Sequence, residues 1–350
     1  MTDDDRHPAT TSGVLALANL QAQIDGLAAR PAGARSWRAP AVAERALLVD
    51  LLILRGEVLG RIADYERAAE LALVLVRDAP DDGAAWLARA RTRATFHRFA
   101  EALNDLEAAG GRGVGHAALD AEWAAILQAV ECYAEARVLR RDAAERRPDF
   151  TTLGALAVLE AERGEVAQAE RLFTEARRRY RGVSPFPVAS LDFRRGLMWL
   201  GQRDLHTARA WFDVAVQRVP AYAPALGHLA EVDAALGARD AAINLLRPLA
   251  ASSDDPEYAA SLASVLSGAG QPVEAEQWRM SAAARYDELV VRHPEAFVDH
   301  AAEFWLTVGG DSTKGSWLLE SHKPGNPRTN SPPRHIERLM GLPTSTCTTG

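Results

Sequence analysis

Two histidines, His293 and His300, stand seven residues apart with Glu303 close by. Imidazole and carboxylate together suit zinc. The spelling His293-Pro294-Glu295 fits equally the start of a helix, with Pro294 in its first turn. We expect that structural role and no metal. Gly110-Gly111-Arg112-Gly113-Val114-Gly115 has the glycines of a phosphate loop. It lacks the preceding strand and the Lys-Ser/Thr that would hold phosphate and magnesium, so it reads as a connecting loop. Cys132 and Cys347 are too few for a disulfide scaffold or a four-thiolate zinc site. Cys132 reads as a small apolar helix residue, and no Cys/His pairing motif points to a nucleophile. His97, His206 and His228 are isolated in sequence. The densest basic run is Arg177-Arg178-Arg179-Tyr180-Arg181. At a helix C-terminus such cations complement the macrodipole. Contact with nucleic acid is the alternative, and a net charge of -7 argues against it. We therefore expect no cofactor and no catalysis.

The elements that would position these groups follow from pattern. Hydrophobic residues are 48% and charged residues 25% of the 350, which excludes a wholly disordered chain. The apolar stretch Ala46 to Leu54 is interrupted by Asp50 and falls short of the roughly 20 residues a membrane span needs. The acidic start Met1-Thr2-Asp3-Asp4-Asp5 carries no apolar run of a signal peptide, so a cytoplasmic location is expected. Alanine recurs at Ala68, Ala102, Ala136, Ala169, Ala208, Ala242 and Ala275, at intervals of 33 or 34 with one of 39. An aromatic or aliphatic residue stands three before it in five units: Tyr65, Phe99, Tyr133, Val166 and Leu205. An anchor stands four after it at Leu106, Phe173, Phe212 and Leu246. These offsets share one face of a helix. A second apolar-periodic segment precedes each alanine, Gly164, Gly201, Gly237 and Gly270 mark turns, and Pro80, Pro148 and Pro220 close units. No period-2 alternation argues for strands. Trp86, Trp123, Trp199 and Trp211 fall at phases facing the core.

This phase resembles the tetratricopeptide repeat family, whose 34-residue unit is a helix, a turn and a helix. Leu52, Gly56, Ala68 and Pro80 carry the likeness in the first unit. Trp86, Phe99, Ala102, Leu106 and Ala109 carry it in the second, and Gly196, Ala208, Phe212, Ala215 and Pro220 in the fifth. His293-Pro294-Glu295-Ala296, followed by Gly309-Gly310-Asp311, is similar to the end of a group of bacterial members. The resemblance implies an all-α, right-handed α-solenoid of about seven units. We expect residues 1–12 and 321–350 to be disordered, 13–40 to form a capping helix and linker, 41–289 the solenoid and 290–320 a helical cap.

In the resembled family the first helix of each unit lines a concave groove that binds protein segments. The phase here puts Glu57, Arg61, Arg91, Gln128, Glu162, Arg194, His228 and Glu231 near that groove, between small residues such as Ala125, Gly154, Ala260 and Ser264. The Lys/Asn set that grips chaperone tails is absent: Ile53, Glu57, Leu87 and Arg91 occupy its first positions. The expected function is a non-catalytic scaffold for an unidentified protein or peptide. The alternative is a regulatory sensor of a small ligand or metal; an enzyme using a groove carboxylate such as Glu162 or Glu231 ranks third. Exposed solenoid ends favour end-to-end association, here through Phe297, Phe304 and Trp305.

Overall fold

The computed structural model describes residues 9–29 and 39–321, within which the chain forms seventeen α-helices and no strand. Helix α1 (Gly13–Ala28) stands first. Eight antiparallel pairs, units one to eight, follow. They are α2 (Ala39–Leu59) with α3 (Ile62–Asp78), α4 (Gly83–Thr95) with α5 (Phe99–Gly110), and α6 (His116–Ala129) with α7 (Tyr133–Arg146). Next come α8 (Phe150–Glu162) with α9 (Val166–Arg178), α10 (Phe186–Gly201) with α11 (Leu205–Arg218), and α12 (Ala223–Ala235) with α13 (Arg239–Ser252). The last two are α14 (Pro256–Gly268) with α15 (Pro272–Arg292) and α16 (Pro294–Leu306) with α17 (Ser312–Ser321). Most residues expected to be disordered, and most of the expected linker, lie outside the described residues.

The alanine phase sets the spacing within each pair. Ala68, Ala102, Ala136, Ala169, Ala208 and Ala242 are completely buried, and Ala275 nearly so. One residue with positive φ turns each pair: Gly60, His97, Glu131, Gly164, Arg203, Gly237, Gly270 and Gly310. This series reveals an eighth unit that the alanine series misses. Its alanine position is held by Gly315, where a Cβ would lie 2.7 Å from Leu306 and 2.9 Å from the Ala302 carbonyl. Gly201, expected to make the fifth turn, ends α10, and Arg203 takes the left-handed conformation instead. Among the four tryptophans placed in the core, only Trp211 is buried. Trp86 and Trp199 straddle core and surface, with their indole N–H groups bonded to the Pro80 carbonyl and Glu170.

Ion pairs cross many of the helix junctions. Buried Asp64 accepts from Arg55, Asp105 from Arg89 and Arg93, Glu160 from Arg137, and Asp233 from Arg209. Much of the basic run after Phe173 is also engaged within the chain, while Arg178 is exposed. Arg177 is buried beside Asp192, Arg179 binds Glu175 and the Pro148 carbonyl, and Arg181 binds the carbonyls of Arg178 and Tyr180.

The solenoid curls until its N-terminal units meet units five to eight. Thr11 donates from its amide and hydroxyl to the Val183 carbonyl, in the long α9–α10 loop, at 2.9 and 2.8 Å. The side chains of α1 and α2 then join one core with Phe186, Phe193, Phe212 and Tyr222. Further along, the Asp254 carboxylate accepts from the amides of Ile62 (2.6 Å) and Ala63 (2.9 Å). Those amides start α3, whose own N-cap residue, Arg61, supplies no side-chain bond. Asp254 thus caps the helix from a distant unit, and Arg285 holds it there at 3.2 Å. An apolar cluster of Ile62, Phe96, Leu289 and Ala296 completes this seam, with Phe297 packed against it. The His293 ring stacks on Phe96 at 3.9 Å between centroids, and His293 and Arg292 both reach Glu66, at 2.9 and 2.7 Å.

This seam corrects one expectation. The apolar face around Phe297, Phe304 and Trp305 is not presented for end-to-end association. Phe304 and Trp305 are buried under their own unit and its neighbours, and Phe297 packs into the seam.

Candidate functional site

The first helices of the units carry the expected groove residues, but the fold uses them differently along its length. Glu57 faces across the seam, accepting from Tyr222 at 3.3 Å and Ser190 at 3.5 Å. Arg61 is exposed at the α2–α3 turn. Arg91 bridges three successive first helices, binding Asp50 on α2 at 2.8 Å and Glu122 on α6 at 2.7 Å. His228 bonds Glu231 at 2.9 Å and stacks on Phe212. Burial pulls the His228 pKa down, but the hydrogen bond and charge of Glu231 outweigh it, and the net shift is upward.

Gln128, Glu162 and Arg194 do come together. They line a cavity of about 660 Å³, which runs across α6, α8 and α10. Its floor is small or apolar: Ala125, Ala129, Gly154, Ala155, Val158 and Leu191. Gln128 donates to Glu162 at 2.8 Å. Arg194 is exposed and has no carboxylate partner among the described residues; its guanidinium lies 6.0 Å from the Phe193 ring centroid.

A fourth polar residue was not expected. Arg140 reaches this cavity from α7, a second helix. It stands four after Ala136, the position held by Leu106, Phe173, Phe212 and Leu246 in units two, four, five and six. Those four anchors are 0–1% exposed. Arg140 is half-buried, its Nε is buried without a hydrogen-bond partner, and it makes no ion pair among the described residues. Burial lowers its pKa, against the pull of Glu122 and Glu162. Both acids are already engaged, by Arg91 and Gln128. Unit seven also has an arginine at this position, Arg279, but it is bound to Glu276 and to the Gly309 carbonyl. The gap at unit three in the anchor series was the sequence signal for Arg140.

A second cavity, about 340 Å³, lies across α12, α14 and α16. Glu231, Glu257, His300 and Glu303 line it with Ala260, Ser261 and Ser264. Burial raises the Glu257 pKa, with His228 opposing. His293 belongs to the seam and His300 to this cavity, so the two do not converge. Among the described residues no group of three or more His, Cys, Asp or Glu is arranged to hold a metal. Glu162 and Glu231, the acids an enzyme of this groove would pair, line different cavities. Cys132 sits at the N-cap of α7 rather than within the helix, and is 8% exposed. No described helix is long and apolar enough to cross a membrane.

No family model and no curated protein matches the chain. Solved structures are. Human IFIT1, as a dimer with PPP-AAAA, aligns with 80% of this chain and 71% of its own, at 15% identity and a TM-score of 0.54. The APC/C hetero-tetramer Cut9–Hcn1 aligns with 89% of this chain and 56% of that chain, at 16% identity and a TM-score of 0.52. The chain therefore spans only about half the length of the latter. At these identities the likeness is one of fold: an all-α solenoid of tetratricopeptide type.

Proposed function

We propose that the chain is a non-catalytic scaffold that holds a segment of a partner protein in the cavity of units three to five. One observation carries this reading. The small residues Ala125, Ala129, Gly154 and Ala155 leave about 660 Å³ open across three successive first helices. Unit one, by contrast, spends its equivalent face on units five and six. A cavity of that size takes several side chains of an extended segment. Small residues let a ligand backbone approach the helices, while Gln128, Glu162, Arg140 and Arg194 supply polar groups that fix its direction. Nucleic acid fits less well. In the one dense basic run Arg177 is buried beside Asp192, Arg179 and Arg181 are bound to Glu175 and nearby carbonyls, and the chain is acidic overall.

The test is a display library of random twelve-residue peptides, selected in parallel on the full chain and on Ala125→Trp. Ala125 is an exposed position on the cavity wall, so a large side chain there fills the cavity without entering the core. Peptides that enrich on the parent and not on the variant support the reading. Absence of any such peptide overturns it.

A further inference from the structure

We infer that the segment held in this cavity is acidic, and that Arg140 and Arg194 receive its carboxylates. The inference rests on the groove reading above and adds the chemistry of the ligand.

Three observations support it. First, arginines in this chain are characteristically matched to carboxylates, including the buried Arg55–Asp64 and Arg89–Asp105 pairs. Arg140 and Arg194 have no such match among the described residues, yet both line one cavity. Second, Arg140 occupies a core anchor position that four other units give to leucine or phenylalanine. An arginine there gives up the packing of an apolar anchor and leaves its Nε without a partner. Partly desolvated and unpaired, it loses stability in the free protein and recovers it when an anion arrives. Third, the planar guanidinium has a fork of donors that matches a carboxylate, and the bond is strong where water is excluded. With Glu162 in the same wall the cavity carries two cations and one anion. That suits one or two carboxylates on an otherwise small or apolar segment better than a continuous phosphate backbone.

A carboxylate can come from an Asp or Glu side chain or from a chain terminus. The display library therefore has two arms, one ending in a free C-terminus and one fused at both ends. Enriched peptides are synthesised and their affinities measured on the parent and on Arg140→Leu, Arg194→Met and Glu162→Gln. Arg140→Leu restores the anchor of the other units, so its melting temperature is expected to match or exceed the parent's. Each arginine variant is expected to weaken acidic peptides by about tenfold or more. Glu162→Gln is expected to strengthen them about two- to fivefold. Enrichment in the fused arm assigns side-chain carboxylates, and enrichment in the free arm alone assigns the terminus. Peptides that need an unfilled Ala125 wall but lack acids, or that bind both arginine variants as tightly as the parent, overturn this inference and leave the groove reading standing. No Ala125-sensitive peptide overturns both.

Discussion

The seam and the cavity are built from the same kind of repeat and end in opposite states. At the seam several open needs are met from within the chain. The open amides of α3 find Asp254, Glu66 finds His293 and Arg292, and Phe96 finds a ring to stack on. In the cavity the needs are left open: a core position holds Arg140, and neither it nor Arg194 has a carboxylate partner among the described residues. A repeat scaffold separates the two roles by position along the array. Satisfied groups hold its turns together, and on the function proposed above the unsatisfied ones receive the partner segment.

The contrast can be broken most forcefully at the seam. Phe96→Ala removes a ring that is 4% exposed and is expected to cost about 3–5 kcal/mol in denaturant unfolding. A cost below about 1 kcal/mol would mean that the seam contributes little to the fold. Asp254→Ala uncaps α3 and is expected to cost about 1–2 kcal/mol, with faster hydrogen exchange at Ile62 and Ala63. Exchange unchanged there would refute the distant cap.

Asp255, which caps α14 beside the seam, sharpens the comparison through pH. Burial and the charge of Glu257 push its pKa up to about 6. A carboxylate raised above its unfolded value favours the fold while protonated, and that contribution fades as pH rises through about 6. Asp255→Asn keeps an acceptor for the cap without the charge. It is expected to raise the melting temperature at pH 7.5 and have little effect at pH 4. His97, lowered by burial and by His300, acts in the opposite sense as pH falls below about 6.5. The difference between parent and Asp255→Asn isolates the carboxylate; a larger gain at pH 4 than at pH 7.5 would contradict the assignment. The smallest effect is expected at the turns. Arg203→Gly relieves a left-handed residue and is expected to gain about 0.5–1 kcal/mol. A loss there would show that the Arg203 side chain does more than fill the turn.

What was legible in the sequence was local. The buried alanines and their anchors repeat at helical offsets, and that regularity alone gives both helices of seven units. The eighth unit is hidden because Gly315 replaces the marker alanine. The seam is hidden because nothing local links Ile62 to Asp254 or Phe96 to His293; the accumulated curvature of the array brings them together. The same curvature divides the eight expected groove residues. It gathers Gln128, Glu162 and Arg194, and sends Glu57 across the seam. Arg140 is not marked by the groove pattern, which runs along first helices, because it reaches the cavity from a second helix.

The Asp254 cap also sets a timetable. Ile62 and its acceptor are separated by 192 residues. At a ribosomal pace of about 5–20 residues per second, the start of α3 leaves the tunnel roughly ten to forty seconds before the carboxylate that completes it. For that interval the nascent first unit has its two leading amides open and its share of the seam uncovered. The first unit therefore stays open until the segment that closes it, 192 residues further along the chain, has been made.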